Sequence, residues 1–267
     1  MHIRVGYDIV YDCPAPTPML LMLSIRPERH GDLVTPQAMQ LEPHTPWRDY
    51  VDDFGNVCTR LVAPAGPMRF RADYIVADSG EPDPVHLDAV QHEVDDLPSD
   101  LLIFLLGSRY CDTDRLADEA WRLFGAIPPG WGRVQAICDY VYDRITFGYQ
   151  HARATRTAFE AHEERVGVCR DFAHLAVTLC RCMNIPARYC TGYLGDIGVP
   201  LTPFMDFSAW FEVYLGGRWH VFDARHNTPR IGRILMAHGR DATDAAISTC
   251  FGPTLVARFD VIAEEVI

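Results

Sequence analysis

Hydrophobic and polar residues alternate along residues 1–80. Ile3, Val5, Tyr7 and Ile9 are separated by single residues, so their side chains would share one face of an extended chain. Similar short apolar runs recur between turn residues, without a period of three to four. This pattern predicts an N-terminal antiparallel β-sandwich domain.

From residue 111 onward the hydrophobic period becomes that of α-helices, and three amphipathic helices are predicted. Asp112 caps the first and Gly125 ends it, while Asn184 ends the third. The apolar positions are Leu116, Ala120, Leu123 and Phe124 in the first, Val134, Ile137, Cys138, Val141 and Ile145 in the second, and Phe172, Leu175, Ala176, Leu179 and Met183 in the third.

Strands with alternating patterns follow the helices, near Ala187–Tyr193 and Phe207–Leu215. The Gly216-Gly217 pair then turns the chain into a further strand that ends at Asp223. A helical module that leads into an antiparallel sheet predicts an α+β fold for residues 111–267.

The stretch 81–110 separates the two regions. Its first twenty residues hold seven acidic residues, three prolines and no lysine or arginine. This composition predicts an acidic linker or a surface wrap.

The predicted hairpin assigns side chains to the two faces of the sheet. If Gly216 and Gly217 form a two-residue turn, Leu215 lies opposite Arg218 and the pairing continues along both strands. A slip by one residue would exchange the faces. One face then carries Ser208, Trp210, Glu212, Asp223 and Arg225, and the apolar face carries Phe207, Phe211, Val213, His220 and Phe222.

Cys169 lies at the mouth of the third predicted helix. The free N–H groups and positive dipole end of a helix stabilise an anion, so we expect a lowered pKa for this thiol. Cys169 is therefore a candidate nucleophile, and its backbone N–H is a candidate oxyanion donor.

Composition narrows the classes of function. The 267-residue chain carries a formal net charge of −12 and no block of lysine and arginine, so nucleic acid is not an expected partner. Its apolar runs are too short to span a membrane, and the N-terminus has no apolar run of signal-peptide length. We therefore expect a cytoplasmic protein without a membrane partner.

The nine cysteines are odd in number and irregularly spaced, which argues against a disulfide framework. Cys180, Cys182 and Cys190 do not have the spacing that zinc sites prefer, and the first two would point in different directions on a helix. No metal is expected.

Two longer motifs resemble a known family. They are RVGVCRDFAHLAVTLCRCMNIPARYCTGY (165–193) and DFSAWFEVYLGGRWHVFD (206–223). The order and spacing of the cysteine block, the block 184–188 and the strand motif resemble the transglutaminase-like superfamily, in its branch of bacterial cysteine proteases. The resemblance runs from about Leu116 to the end of the hairpin, and the first 80 residues resemble the β domain that precedes this core in that branch.

The resemblance implies a papain-like transglutaminase core, with helices packed on an antiparallel sheet and a triad of cysteine, histidine and aspartate. Cys169 matches the nucleophile and Asp223 matches the aspartate that orients the base. At the histidine position this chain has Ser208, which has no basicity near neutral pH. A general base contributes about 10²–10⁴-fold to a rate, so this difference matters. No cofactor is implied.

Three alternatives follow from Ser208. The site is weak or inactive and the chain serves as a binding module; or a histidine from elsewhere in the chain fills the space; or the helix dipole alone ionises Cys169 while Ser208 relays a proton through water.

The histidines differ in their ability to replace the base. His226, just past the hairpin strand, is the nearest surrogate, and His238 and His151 are less constrained. His174 would face another side of the helix, and His220 lies on the apolar face of the sheet.

We therefore expect a cysteine-dependent hydrolase or acyltransferase that acts on a peptide or protein amide bond through a thioester intermediate. The alternative is a catalytically degenerate transglutaminase-like module that binds a peptide or a partner protein. A weaker alternative places the function in the β domain.

Arg170 is interpreted either as a surface arginine or as a residue that binds a substrate carboxylate. The stretch 230–244 is expected to be an exposed loop that enters a helix at Asp241, or a lid over the hairpin. The oligomeric state stays open.

Overall fold

The computed structural model describes residues 1–202 and 204–266. The described α-helices are α1 (Thr113–Phe124), α2 (Trp131–Arg144), α3 (Ala158–Glu164) and α4 (Cys169–Cys182). The described strands are β1 (His2–Cys13), β2 (Thr17–Leu21), β3 (Gln40–Glu42), β4 (Trp47–Val51), β5 (Val57–Ala63), β6 (Gly66–Ala77), β7 (Thr146–Phe147), β8 (Val166–Gly167), β9 (Ala187–Leu194), β10 (Ser208–Leu215), β11 (Arg218–Phe222), β12 (Arg233–Gly239), β13 (Ser248–Cys250) and β14 (Leu255–Val266).

Two four-stranded antiparallel sheets form the N-terminal part of the molecule, in the orders β14-β1-β6-β3 and β13-β2-β5-β4. The alternating residues of β1 face inward as predicted. Val5 and Phe70 of one sheet share a buried cluster with Met19 and Leu61 of the other. Each such side chain contributes about 1.5–3 kcal/mol by its burial.

The last two strands return to these N-terminal sheets. β14 pairs with β1 along nearly its whole length, and β13 pairs with β2. We expected residues 111–267 to form one core, but the sheet pairing places 248–250 and 255–266 with the β-sandwich. The physical reason is that β1 would otherwise be a long unpaired edge strand.

The second part of the molecule is a sheet in the order β11-β10-β9-β12 with helices packed on one face. Phe172 and Leu179 of α4 share a buried cluster with Phe211 and Val213 of β10. The predicted hairpin register is confirmed, with Leu215 opposite Arg218. The molecule is therefore an α+β protein, as predicted.

The stretch 230–244 differs from its prediction. Arg233–Gly239 is the strand β12, paired with β9 and largely buried, and no helix begins at Asp241, where the chain forms turns. β12 is the edge strand beside β9, and its Ile234 and Met236 side chains are buried in the cluster that contains the β-sandwich core.

Asp112 precedes α1, but its side chain does not cap that helix. Its carboxylate instead accepts hydrogen bonds from the Thr157 hydroxyl (2.9 Å) and the Phe159 N–H (3.0 Å) at the start of α3. The predicted cap on α1 was wrong, because Asp112 binds the N-terminus of a helix that lies 45 residues further along the chain.

The acidic stretch 81–110 wraps over the surface of the core. The Val90 carbonyl accepts from the Gly216 N–H (2.8 Å), and the Ala89 carbonyl accepts from the Trp131 N–H (3.0 Å). Phe104 of this stretch is buried beside the rings of Phe54 and Trp219. Within the described residues, every helix falls short of the length and apolar character needed to cross a membrane.

Candidate active site

Cys169 is the first residue of α4, and the segment before the helix is held in place by Asp171. The Asp171 carboxylate accepts hydrogen bonds from the Val168 N–H (2.9 Å) and from Arg156 (3.0 Å). A Cβ on Gly167 would lie 2.7 Å from that of Asp171, so the approach to the helix requires glycine. The chain entry that positions the cysteine is therefore rigid.

The Cys169 thiol lies in a cavity of about 330 Å³, against the strand motif of β10. Its Sγ is 3.9 Å from the carbonyl oxygen of Phe207, to which the thiol donates. Burial raises the pKa of Cys169 to about 11, and the Asp206 carboxylate acts in the same direction, while Arg225 opposes both. The predicted lowering of this pKa was wrong, because desolvation outweighs the helix terminus.

Asp223 lies directly after β11 and is buried among charged and polar partners. Its Oδ1 accepts from the backbone N–H groups of Arg225 (2.9 Å) and His226 (3.1 Å). Its Oδ2 accepts from His226 Nδ1 (2.8 Å) and from Arg233 (2.9 Å). Burial opposes the ionised form, but Arg233 and His226 more than offset it and hold the pKa of Asp223 well below its ordinary value.

Arg233 extends this network to the acidic wrap. Its Nε donates to Asp83 (2.8 Å), and its guanidinium lies 5.1 Å from the centre of the Trp210 ring. Both Arg233 and Asp223 are almost completely buried, so each requires the other's charge. We call Asp83, Arg233, Asp223 and His226 the aspartate–histidine network.

Ser208 begins β10, is buried and lines two neighbouring cavities. One is the cavity of Cys169, and the other, of about 290 Å³, is lined by His226; Asp206, Phe207 and Ser208 line both. In residues 1–202 and 204–266, no hydrogen bond joins His226 to the Cys169 thiol. The structure thus brings Asp223 and His226 together, and within the described residues no hydrogen bond joins either of them to Cys169.

The other candidate histidines are engaged elsewhere. His174 is buried in α4 and accepts a backbone hydrogen bond, and His220 packs among aromatic rings. His238 lies 3.3 Å from an arginine, and His151 lies beside a glutamine. Among the described residues, none of these imidazoles contacts the Cys169 thiol by a hydrogen bond, and no cluster of three metal-binding side chains occurs.

Sequence reasoning missed Arg233, Asp83 and Asp206. Arg233 lies in the stretch interpreted as a loop, although the alternation of Ile234 and Met236 was a strand signal. Nothing in the sequence pairs Asp83 with Arg233, since 150 residues separate them.

Comparisons with known proteins match this architecture. A family model described as the transglutaminase-like superfamily matches residues 123–224. The crystal structure of a protein from Cytophaga hutchinsonii, described as a "putative cysteine protease", superimposes with a TM-score of 0.83. The two sequences are 31% identical, and the match covers 99% of this chain and 90% of the other. An uncharacterized protein from Mycobacterium leprae is 39% identical over 83 residues, which are 30% of this chain and 30% of that protein.

Proposed function

We propose that this chain, which belongs to the transglutaminase-like superfamily, is a catalytically degenerate module. It binds a peptide or protein segment in the cavity of Cys169. The likeness to a protein described as a cysteine protease supports a peptide or protein as the ligand. Binding needs the cleft, whereas efficient turnover also needs a base.

The observation that carries this proposal is that the Cys169 thiol has no base beside it. Ser208 stands where the family supplies histidine, and no imidazole in the described chain is hydrogen-bonded to Cys169. With a pKa of about 11, about one thiol in ten thousand would be ionised at pH 7. A nucleophile this rarely ionised, with no base beside it, reacts slowly.

The aspartate–histidine network favours a second candidate, a cysteine-dependent hydrolase or acyltransferase of amide bonds. In this scheme Cys169 Sγ attacks the amide carbon and its proton passes to His226, across the space above the small Ser208 side chain. The imidazolium then protonates the leaving amine as the C–N bond breaks, and water or another amine resolves the thioester. His226 would have to move toward Cys169 for this step.

Two measurements test the proposal. The first is alkylation of Cys169 by the tripeptide label iodoacetyl-Ala-Gln-Ala-amide and by iodoacetamide, followed by intact-protein mass spectrometry with Cys169→Ala as background. We expect the rate to saturate with the tripeptide label and to stay linear with iodoacetamide. A linear dependence on both reagents would contradict a peptide-binding cleft.

The second measurement is turnover of fluorescein-labelled casein and incorporation of dansylcadaverine into casein. We expect the unmodified chain and Cys169→Ala to give the same low rates in both assays. A rate that Cys169→Ala abolishes would reject the degenerate module and support the hydrolase or acyltransferase.

A further inference from the structure

A third cavity adjoins the cavity of Cys169, on residues other than those shared with the cavity of His226, and it is lined by one arginine. It has a volume of about 470 Å³ and shares Arg170, Tyr189 and Thr191 with the cavity of the thiol. Arg170 lines both cavities, so a ligand that occupies the cavity of the thiol can also contact this guanidinium.

The rest of this cavity wall is small or hydroxyl-bearing. Tyr110, Thr243 and Thr249 contribute hydroxyl groups, and alanines fill much of the remainder. Among the described lining residues there is no aspartate or glutamate. The cavity therefore presents one cation and no anion to a ligand.

Arg170 lacks a close carboxylate partner of its own. Its nearest carboxylate oxygen, Asp171 Oδ1, is 3.8 Å away and has no hydrogen-bond partner among the described residues, while Asp171 Oδ2 accepts from Arg156 and from the Val168 N–H. In the described chain, Arg170 Nε has no hydrogen-bond partner, and one terminal nitrogen donates to the Arg153 carbonyl. Nε is itself buried, so Nη1, which makes no hydrogen bond within the described residues, is the donor that remains for a ligand.

The neighbouring arginine on the same cleft differs in this respect. Arg153 also lines the cavity of Cys169, but its guanidinium binds Glu160 (2.8 Å) and Glu164 (2.9 Å). Arg153 is therefore paired with carboxylates of its own chain, whereas Arg170 has no carboxylate within hydrogen-bond distance. Arg225 acts on the thiol as well, but it lines the cavity of His226.

We propose that this cavity is a subsite for a carboxylate side chain of the bound peptide, held by Arg170 next to the segment that lies over Cys169. The favoured ligand is thus an acidic peptide, with aspartate or glutamate adjacent to the amide that faces the thiol. The planar fork of arginine matches a carboxylate, and a charge-assisted pair of this kind is stronger than a neutral hydrogen bond. This inference rests on the proposed peptide binding and names the class of peptide.

The test compares two labels that differ by one charge, iodoacetyl-Glu-amide and iodoacetyl-Gln-amide. Each alkylates Cys169 as an S–C bond forms, iodide leaves and the thiol proton passes to buffer. We expect half-saturation at a concentration about tenfold lower for the glutamyl label. Arg170→Gln should abolish this preference, and Arg170→Lys should keep part of it.

Two further variants separate a subsite from a general effect of charge. Arg225→Gln removes the cation that acts on the thiol from the other cavity, and it should change the rates of both labels while leaving their ratio intact. Arg115→Gln, a change on α1 outside these cavities, should alter neither. Equal half-saturation for both labels in the unmodified chain would overturn the subsite and leave peptide binding standing. If neither label saturates, peptide binding itself fails.

Discussion

The two halves of the site have opposite electrostatic character. Asp223 is enclosed by His226, Arg233 and backbone N–H groups, and its pKa lies well below the ordinary value. Cys169 has the carbonyl of Phe207 as its hydrogen-bond acceptor, and its pKa is raised to about 11. The surroundings of Asp223 therefore favour its carboxylate form, whereas the surroundings of Cys169 disfavour its thiolate form.

Under the proposed function, Asp223 and His226 are a complete orienting pair, whereas Cys169 lacks the base that a triad requires. Histidine at position 208 would join the two halves, since this position lines both cavities. Serine leaves the thiol without a proton acceptor, although both halves retain their positions in the fold.

The largest expected effect is on the rate of turnover and comes from Ser208→His, which would place an imidazole beside the Cys169 thiol. The imidazole would stand between the thiol and the aspartate–histidine network, and a general base raises rates by about 10²–10⁴-fold. We therefore expect casein turnover or dansylcadaverine incorporation to rise by that factor. Assays of the variant at neutral pH measure it.

Ser208→Asn is the matched control, because it adds a polar side chain without basicity. It should leave turnover at the level of the unmodified chain. If Ser208→His gives no gain while its thermal unfolding is unchanged, the missing imidazole is not what limits this site.

The next effect is on stability, from breaking the aspartate–histidine network with Asp223→Asn. Removing one partner of a buried ion pair costs about 3–5 kcal/mol, and because Arg233 keeps its pair with Asp83 we expect a loss near the lower end of that range. Urea unfolding at pH 7 measures this loss. Asp260→Asn, which removes an exposed partner of Arg258, should cost less than about 1 kcal/mol.

The same pair predicts the direction of a pH dependence. The pKa of Asp223 is lower in the folded chain than its unfolded value of about 3.9, so its contribution to stability is complete above that value and is lost as the pH falls toward the folded pKa. The difference in free energy of unfolding between the unmodified chain and Asp223→Asn should therefore shrink below about pH 4. A difference that grows on acidification would contradict the assignment.

A smaller effect is expected from His226→Ala. It removes one hydrogen bond to an ionised carboxylate, worth about 1.5–3 kcal/mol in the free energy of unfolding. Because no hydrogen bond within the described residues joins His226 to the thiol, the rate of Cys169 alkylation by iodoacetamide should stay unchanged. A marked fall in that rate would mean that His226 already acts as the base.

The contrast between the halves also marks what the sequence could predict. The Gly216-Gly217 turn gave the pairing of β10 with β11, since a two-residue turn sets the register that follows it. The position of Cys169 at a helix start was likewise readable from the pattern. The raised pKa of its thiol was not, because it depends on desolvation by β10, a distant segment.

Long-range pairing explains the other differences from the sequence predictions. Asp112 serves α3 instead of its own helix, and Asp83 reaches Arg233 on a strand that we had interpreted as a loop. Each contact joins segments that local periodicity treats separately. The helices and the hairpin follow local rules, whereas the ionic partners depend on the assembled fold.

The smallest expected effect concerns Asp206, whose carboxylate lines the cavity of Cys169 and raises the pKa of the thiol. Asp206→Asn should lower that pKa and speed alkylation severalfold at pH 8. Asp196→Asn, in the cavity of His226 alone, should leave the rate unchanged. Equal alkylation rates in the unmodified chain, Asp206→Asn and Asp196→Asn would show that Asp206 does not raise the pKa of the thiol.

The most direct test of the central claim is the pH dependence of Cys169 alkylation by iodoacetamide, corrected with Cys169→Ala. A thiol without a base in a desolvated cleft should react with an apparent pKa well above the free-thiol value of about 8.5, near 11. The profile of His226→Ala should be the same. An inflection below that of a free thiol, which moves when His226 is removed, would show an ion pair between Cys169 and His226 and would contradict the account.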